Sequence, residues 1–216
     1  MGLFKKTQKI VKAGATPVSM TKKCAKCGKE HQLVIHNPKR RLDGSYAMPV
    51  AEFLSDVQVC DCGMLVTQLE YPADIMGIPG YADALQQHDY VVKKLSLLLT
   101  VTGDPRFWTY IAQYYSEQGD TQAEARAWEQ VIARLESGED KMTNNVPADA
   151  FAALKTTHSL AQNAEHRLID AYRRAGYFDK ALEKIQQCRE NNISNERTLW
   201  LKLEESLSKT KNRIAQ

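Results

Sequence analysis

The chain has 216 residues, 43% of them hydrophobic and 25% charged, with a formal net charge of +3. That is the composition of an ordinary globular protein with room for one large domain or two small ones. No apolar run approaches the roughly 20 residues of a membrane span, the basic start Met-Gly-Leu-Phe-Lys-Lys has no apolar stretch behind it, and Lys6 stands where a myristoylation signal needs Ser or Thr, so neither anchor nor leader is expected and the cytoplasm is the expected location.

The charge is unevenly placed. Residues 1 to 45 carry eleven Lys or Arg against two acidic residues, an excess of nine, while the remainder has 18 against 24. A basic head on an acidic body predicts two parts with different surroundings. Residues 1–22 mix Lys, Gly, Thr and Ser with little apolar periodicity, which predicts a flexible basic arm with at most a short helical start at Phe4 to Val11.

The stretch from Cys24 to Gly63 then holds four of the five cysteines, as Cys24-Ala-Lys-Cys27-Gly and Cys60-Asp-Cys62-Gly. Close pairs followed by glycine suit a tetrahedral metal site, because the glycine lets each turn bend its amides toward the sulfurs. Clustered cysteines in a reducing compartment point to metal ligands before disulfides. Cys24, Cys27, Cys60 and Cys62 are therefore the expected ligands of a structural Zn²⁺ in a small zinc-ribbon-like domain over residues 23–72. Thirty-two residues separate Cys27 from Cys60, more than the roughly 15 to 20 of a compact zinc site, which requires an inserted loop. The second pair is one residue shorter than the usual form, so His31 or His36 stands as an alternative ligand in place of one cysteine. Four thiolates on Zn²⁺ carry a net double negative charge, which Lys22, Lys23, Lys26 and Lys29 would offset.

Within this domain Gln32 to Ile35, Asp56 to Cys60 and Met64 to Leu69 read as strands, and Asn37 to Tyr46 as a loop. Met48 to Leu54 is ambiguous and fits a short helix. A redox role for Cys-x-x-Cys needs a helix N-terminus within a βαβ unit, and lysines and turn residues surround it here. A catalytic zinc would need an open position and a general base, and no His-Glu pair at helical spacing lies near. No phosphate loop or nucleophile elbow is found, and no catalytic residue is assigned.

Two prolines and two glycines between Tyr71 and Gly80 mark a linker. Beyond it, apolar residues recur at three and four. Helices are expected over Tyr81 to Val101, from Asp104-Pro105 to Gln118, from Thr121 to about Glu136, from Pro147 to Ala175, over Phe178 to Glu190, and after a cap at Ser194 or Asn195. Ser137 to Val146 is expected as a loop, Trp108, Trp128, Tyr114 and Tyr115 as core, and Cys188 as a structural core residue.

Leu168, Tyr172, Gly176, Phe178 and Ala181 stand where the 34-residue tetratricopeptide (TPR) pattern places them, and residues 81–216 resemble a TPR-like helical domain. An earlier pair, with Trp108, Ile111, Ala112, Tyr115, Gly119, Trp128 and Val131, resembles it too, with Glu124 where the small residue is expected and Ala125 beside it. Gly119 and Gly176 lie 57 residues apart, which departs from the family period and predicts a bundle in place of a regular solenoid. The order of parts resembles uncharacterised bacterial proteins with an N-terminal two-pair ribbon, a long insert and TPR-like helices. The ribbon is similar to the CpXC-type domain, with Ala25 and Asp61 in place of its proline. This resemblance implies a fold and a metal, and no activity.

The expected fold class is α+β, mostly α: a small zinc-ribbon β domain followed by a TPR-like antiparallel helical bundle. The expected function is a non-enzymatic zinc-binding protein whose helical domain docks a protein partner. The alternative is nucleic-acid association through Lys22, Lys23, Lys39, Arg40 and Arg41, which pair with phosphates, although Phe4, Tyr46 and Phe53 give no stacking platform. A thiol or metal-dependent enzyme is the third alternative.

Overall fold

Residues 16–36, 48–68, 75–104, 106–137, 157–191 and 197–214 are described by a computed structural model. The chain divides into two units, Met1–Glu70 and Tyr71–Gln216. The class is α+β and mostly α, with eight α-helices among the described residues and a small β region toward the N-terminus. None of these helices is long and apolar enough to cross a membrane.

In the first unit, strands β1 (Val18–Lys23) and β2 (Glu30–Ile35) pair antiparallel, with Met20 opposite Leu33 and Lys23 opposite Glu30. A short helix α1 (Val50–Phe53) and a 3₁₀ turn (Leu54–Asp56) lead into β3 (Val57–Val59), which pairs antiparallel with β4 (Leu65–Thr67). The Ser55 hydroxyl donates to the Val34 carbonyl at 2.9 Å and fastens the 3₁₀ turn to β2.

Strand β1 corrects the sequence expectation, since residues 18–22 were expected in a flexible arm. The strand is stabilised across the sheet: the Gln32 amide donates to the Thr21 hydroxyl at 2.7 Å, and Lys23 faces Glu30 at 3.5 Å. These cross-strand pairs are invisible to a local reading of Val-Ser-Met-Thr-Lys-Lys. The expected arm over residues 1–15 and the loop Asn37 to Tyr46 lie outside the described residues (Tyr46 included), as do Lys39, Arg40 and Arg41.

The second unit is a run of helices: α2 (Tyr81–Leu85), α3 (Tyr90–Thr102), α4 (Arg106–Gln118), α5 (Thr121–Glu136), α6 (Thr157–Arg174), α7 (Phe178–Glu190) and α8 (Arg197–Ile214). The single helix expected over Tyr81 to Val101 is broken in two. Asp89 caps α3, its carboxylate accepting from the Val91 and Val92 amides at 2.9 Å each, and this satisfies donors that a continuous helix would have bonded elsewhere. The expected linker also packs: Ile75 is 2% exposed.

Helices α4 and α5, and again α6 and α7, are joined by the same turn. Gly119 and Gly176 both take positive φ, and the Asp120 and Tyr177 amides reach back to the Tyr115 and Tyr172 carbonyls. This left-handed helix end satisfies orphaned carbonyls and reverses the chain within two or three residues. Each helix packs on its neighbour in sequence, α5 directly on α6 included. Residues 138–156, which hold all of the expected loop after Ser137 and the start of the expected Pro147 helix, lie outside the described residues. So do the proposed caps at Ser194 and Asn195.

The core of this unit is aliphatic and aromatic, including Leu95, Leu97, Ile111, Val131, Ile185 and Trp200. Trp128 is buried as expected, but on α4 the core positions are Phe107, Tyr110 and Ile111, while Trp108, Tyr114 and Tyr115 are half-buried. Glu124, the residue that breaks the sequence pattern, occupies the same place after its turn as Ala181. Their amides bond to the Asp120 and Tyr177 carbonyls in the same way. Glu124 is 1% exposed and accepts two hydrogen bonds from Arg174 of α6, each 2.8 Å. The misfit is thus a buried ion pair that ties one helix pair to the next.

Candidate metal centre

Each cysteine pair is the turn of a hairpin. Between β1 and β2, the Cys24 amide donates to the Lys29 carbonyl at 2.8 Å and the Gly28 amide to the Cys24 carbonyl at 2.9 Å. Between β3 and β4, the Cys60 amide donates to the Met64 carbonyl at 2.9 Å and the Gly63 amide to the Cys60 carbonyl at 2.8 Å. The first loop runs over six residues, Cys24 to Lys29, and the second over five, Cys60 to Met64, so the short Cys60-Asp61-Cys62 spacing goes with a tighter hairpin. Gly28 and Gly63 have φ of 73° and 86°, a region that side chains other than glycine rarely enter. At Gly28 an added Cβ would meet nothing within 4 Å, so the backbone conformation alone demands glycine there.

The two turns bring four sulfurs together. The Sγ atoms of Cys24, Cys27, Cys60 and Cys62 all lie within 4.8 Å of one another, with Cys24 to Cys62 at 3.5 Å and Cys27 to Cys60 at 3.4 Å. These are free thiols, well beyond a disulfide bond length. Sulfurs about 2.3 Å from a central ion in a tetrahedron stand about 3.8 Å apart, so the observed spacing fits a four-thiolate metal site. Cys24 and Cys60, each 2% exposed, form with Leu33 and Val66 a buried cluster of the unit. Cys27 is exposed and Cys62 half-buried.

The electrostatics point the same way. Burial pushes the Cys24 thiol up, but the Cys27 and Lys26 amides, with the Cys62 and Cys27 side chains, outweigh it and bring the thiol from 9.0 to about 7. At Cys27 the Lys29 amide pulls down, yet the Cys60 thiol, desolvation and the other sulfurs push it up to about 12. At Cys62 the Met64 amide pulls down, and desolvation with the Cys24 and Cys60 thiols raises it. Four sulfurs this close cannot all ionise alone, because each thiolate raises the cost of the next. A divalent cation removes that penalty.

The histidine alternatives are not part of this set. The cluster is made of the four cysteines; His31 lies on β2 opposite Lys22, and His36 follows the strand. Of the lysines expected to offset the charge, Lys26 donates to the Cys62 carbonyl at 3.5 Å and Lys29 pairs with Asp61 at 2.6 Å. That the Asp61 spacer residue is bound by the opposite knuckle was missed by sequence reasoning, and its signal was only an acid between two cysteines beside a lysine-rich turn. Cys188 stands apart: it is 1% exposed, and burial with the Glu165 carboxylate pushes its thiol up to about 12, which leaves it an inert core residue. His166 packs tilted against Trp200 with ring centres 4.4 Å apart. Against known proteins, no family model, no curated protein and no solved structure matches this chain.

Proposed function

We propose that the four cysteines hold a structural Zn²⁺ and that the chain is a non-enzymatic protein with a zinc-ribbon-type unit and a TPR-like helical domain that docks a protein partner. The observation that carries this is the convergence of four sulfurs from two hairpin turns within 4.8 Å. When bound, the ion supplies the cross-link between the two turns. The four cysteines would fill all four positions of a tetrahedral ion with protein sulfur, leaving none for a reacting water, which favours a structural over a catalytic role. Thiolate is also the donor that selects zinc over magnesium or calcium.

For the helical unit, support comes from the repeated glycine turn and from helices that pack on their neighbours in chain order, the local arrangement of helical repeats. The nucleic-acid alternative draws less support, because the basic head brings few aromatic residues on which bases could stack. The test is elemental analysis of the purified chain with a count of reactive thiols before and after chelation. One zinc per chain and four thiols that become reactive on chelation are expected. Absence of any bound metal from protein purified under reducing conditions would overturn the reading, and iron in its place would change the ion and reopen a redox role.

A further inference from the structure

We propose that Lys29 is a positioning residue for the metal centre: it sets how tightly the ion is held by neutralising Asp61, the carboxylate built into the spacer of the second knuckle. This rests on the metal reading above.

Asp61 stands between Cys60 and Cys62, so the chain cannot move it away from the sulfurs. Four thiolates around a divalent cation leave a net double negative charge, and Asp61 adds a third beside it. Its countercharge comes from the other hairpin. Lys29 closes the first knuckle, its carbonyl accepting from the Cys24 amide at 2.8 Å. Its ammonium reaches Asp61 Oδ2 at 2.6 Å. One residue therefore closes the first turn through its backbone and neutralises the second through its side chain.

The neighbouring lysines are placed for other work. Lys23 faces Glu30 at 3.5 Å on the sheet, and Lys26 reaches the Cys62 carbonyl, a neutral acceptor, at 3.5 Å. The side chains of Lys29 and Asp61 are 54% and 83% exposed. An exposed pair of this kind contributes almost nothing to folding, so its consequence falls on the charge next to the sulfurs. This makes an asymmetric expectation. Removing the lysine alone leaves a carboxylate pressing on the thiolates; removing the carboxylate alone leaves the ammonium facing them, which favours the bound ion.

The experiment titrates Zn²⁺ into the full-length reduced chain in competition with a chromophoric chelator at low ionic strength. Lys29→Met is expected to weaken zinc binding about fivefold, the size of one uncompensated, solvent-screened charge. Asp61→Asn, which leaves the ammonium uncompensated beside the thiolates, is expected to bind zinc at least as tightly as the parent and up to about fivefold tighter, and the double variant Lys29→Met/Asp61→Asn within about twofold of the parent. The Lys29→Met deficit should shrink toward none at about 1 M salt, where screening acts over about 3 Å; loss of a merely structural contact would not respond in this way. Parent-like affinity in Lys29→Met would overturn the proposal. So would an equal loss in Asp61→Asn, or a double variant as weak as Lys29→Met. A parent chain that binds no zinc would instead overturn the metal reading beneath it.

Discussion

In the N-terminal unit Cys24, Leu33, Cys60 and Val66 form one buried cluster, half of it sulfur, beside a few buried aliphatics such as Val50 and Leu54. The helical unit buries Leu95, Leu97, Ile111, Val131, Ile185 and Trp200, and among the described residues it contributes nothing to a metal-ligating cluster. The difference follows from geometry. Two-stranded hairpins have too little surface to enclose an apolar interior, and small scaffolds need a cross-link that long helices do not. The helical unit instead spends its polar chemistry on joining helix pairs: Glu124 to Arg174, and the Tyr172 hydroxyl to Glu129.

The contrast is broken most severely at Cys60. Cys60→Ser, or chelation of the parent, is expected to unfold the first unit while leaving the helical signal of the second. Structural zinc sites in small modules supply about 10–16 kcal/mol of apparent binding energy at neutral pH, which is folding energy. Amide NMR resolves the two outcomes: dispersed strand resonances collapse and helical ones remain. Joint loss of both sets would show that the units do not fold independently.

A smaller effect, confined to the other unit, is expected from Arg174→Ala. It strands the Glu124 carboxylate in the core, and breaking a buried pair from one side costs about 3–5 kcal/mol. Because the Arg174 side chain is 29% exposed, the low end, about 3 kcal/mol, is expected. Chemical denaturation followed at the helical signal measures it, with zinc content unchanged. Loss below about 1 kcal/mol would mean that water reaches Glu124 as easily as Arg174 does.

The smallest of the three sharpens the role of the first knuckle. Gly28→Ala forces a side chain into positive φ at a cost of about 1–2 kcal/mol. Since an added Cβ there meets nothing, the cost is backbone strain alone. It should appear as a weaker zinc affinity of about tenfold with the helical unit's denaturation midpoint unmoved. Gly28→Asn, which tolerates the left-handed region better, should lose less.

Much of the site could be read in advance because cysteine spacing and glycine are local signals. The four cysteines that converge are those the motif pairs mark. The helix ends at Gln118, Glu136 and Glu190 were equally legible, from the glycine turn at Gly119 and from apolar periodicity. Strand β1 was not legible, because Val-Ser-Met-Thr-Lys-Lys becomes a strand through Gln32, Glu30 and Leu33 across from it. The break before α3 was missed for a different reason. Asp89 is an ordinary cap signal and follows three polar residues, Gln86, Gln87 and His88, so the stop was marked locally and was passed over in favour of the apolar recurrence on either side.

Sequence by itself determined which residues could bind a metal and where helices turn, since both depend on neighbours within a few positions. Tertiary structure decided that the two knuckles face each other across 38 residues from Cys24 to Cys62, that Lys29 answers Asp61, and that Glu124 is a buried partner of Arg174 fifty residues on. Each of these depends on which chain segments meet, and a charge or a thiol carries no local mark of the partner that folding will bring to it.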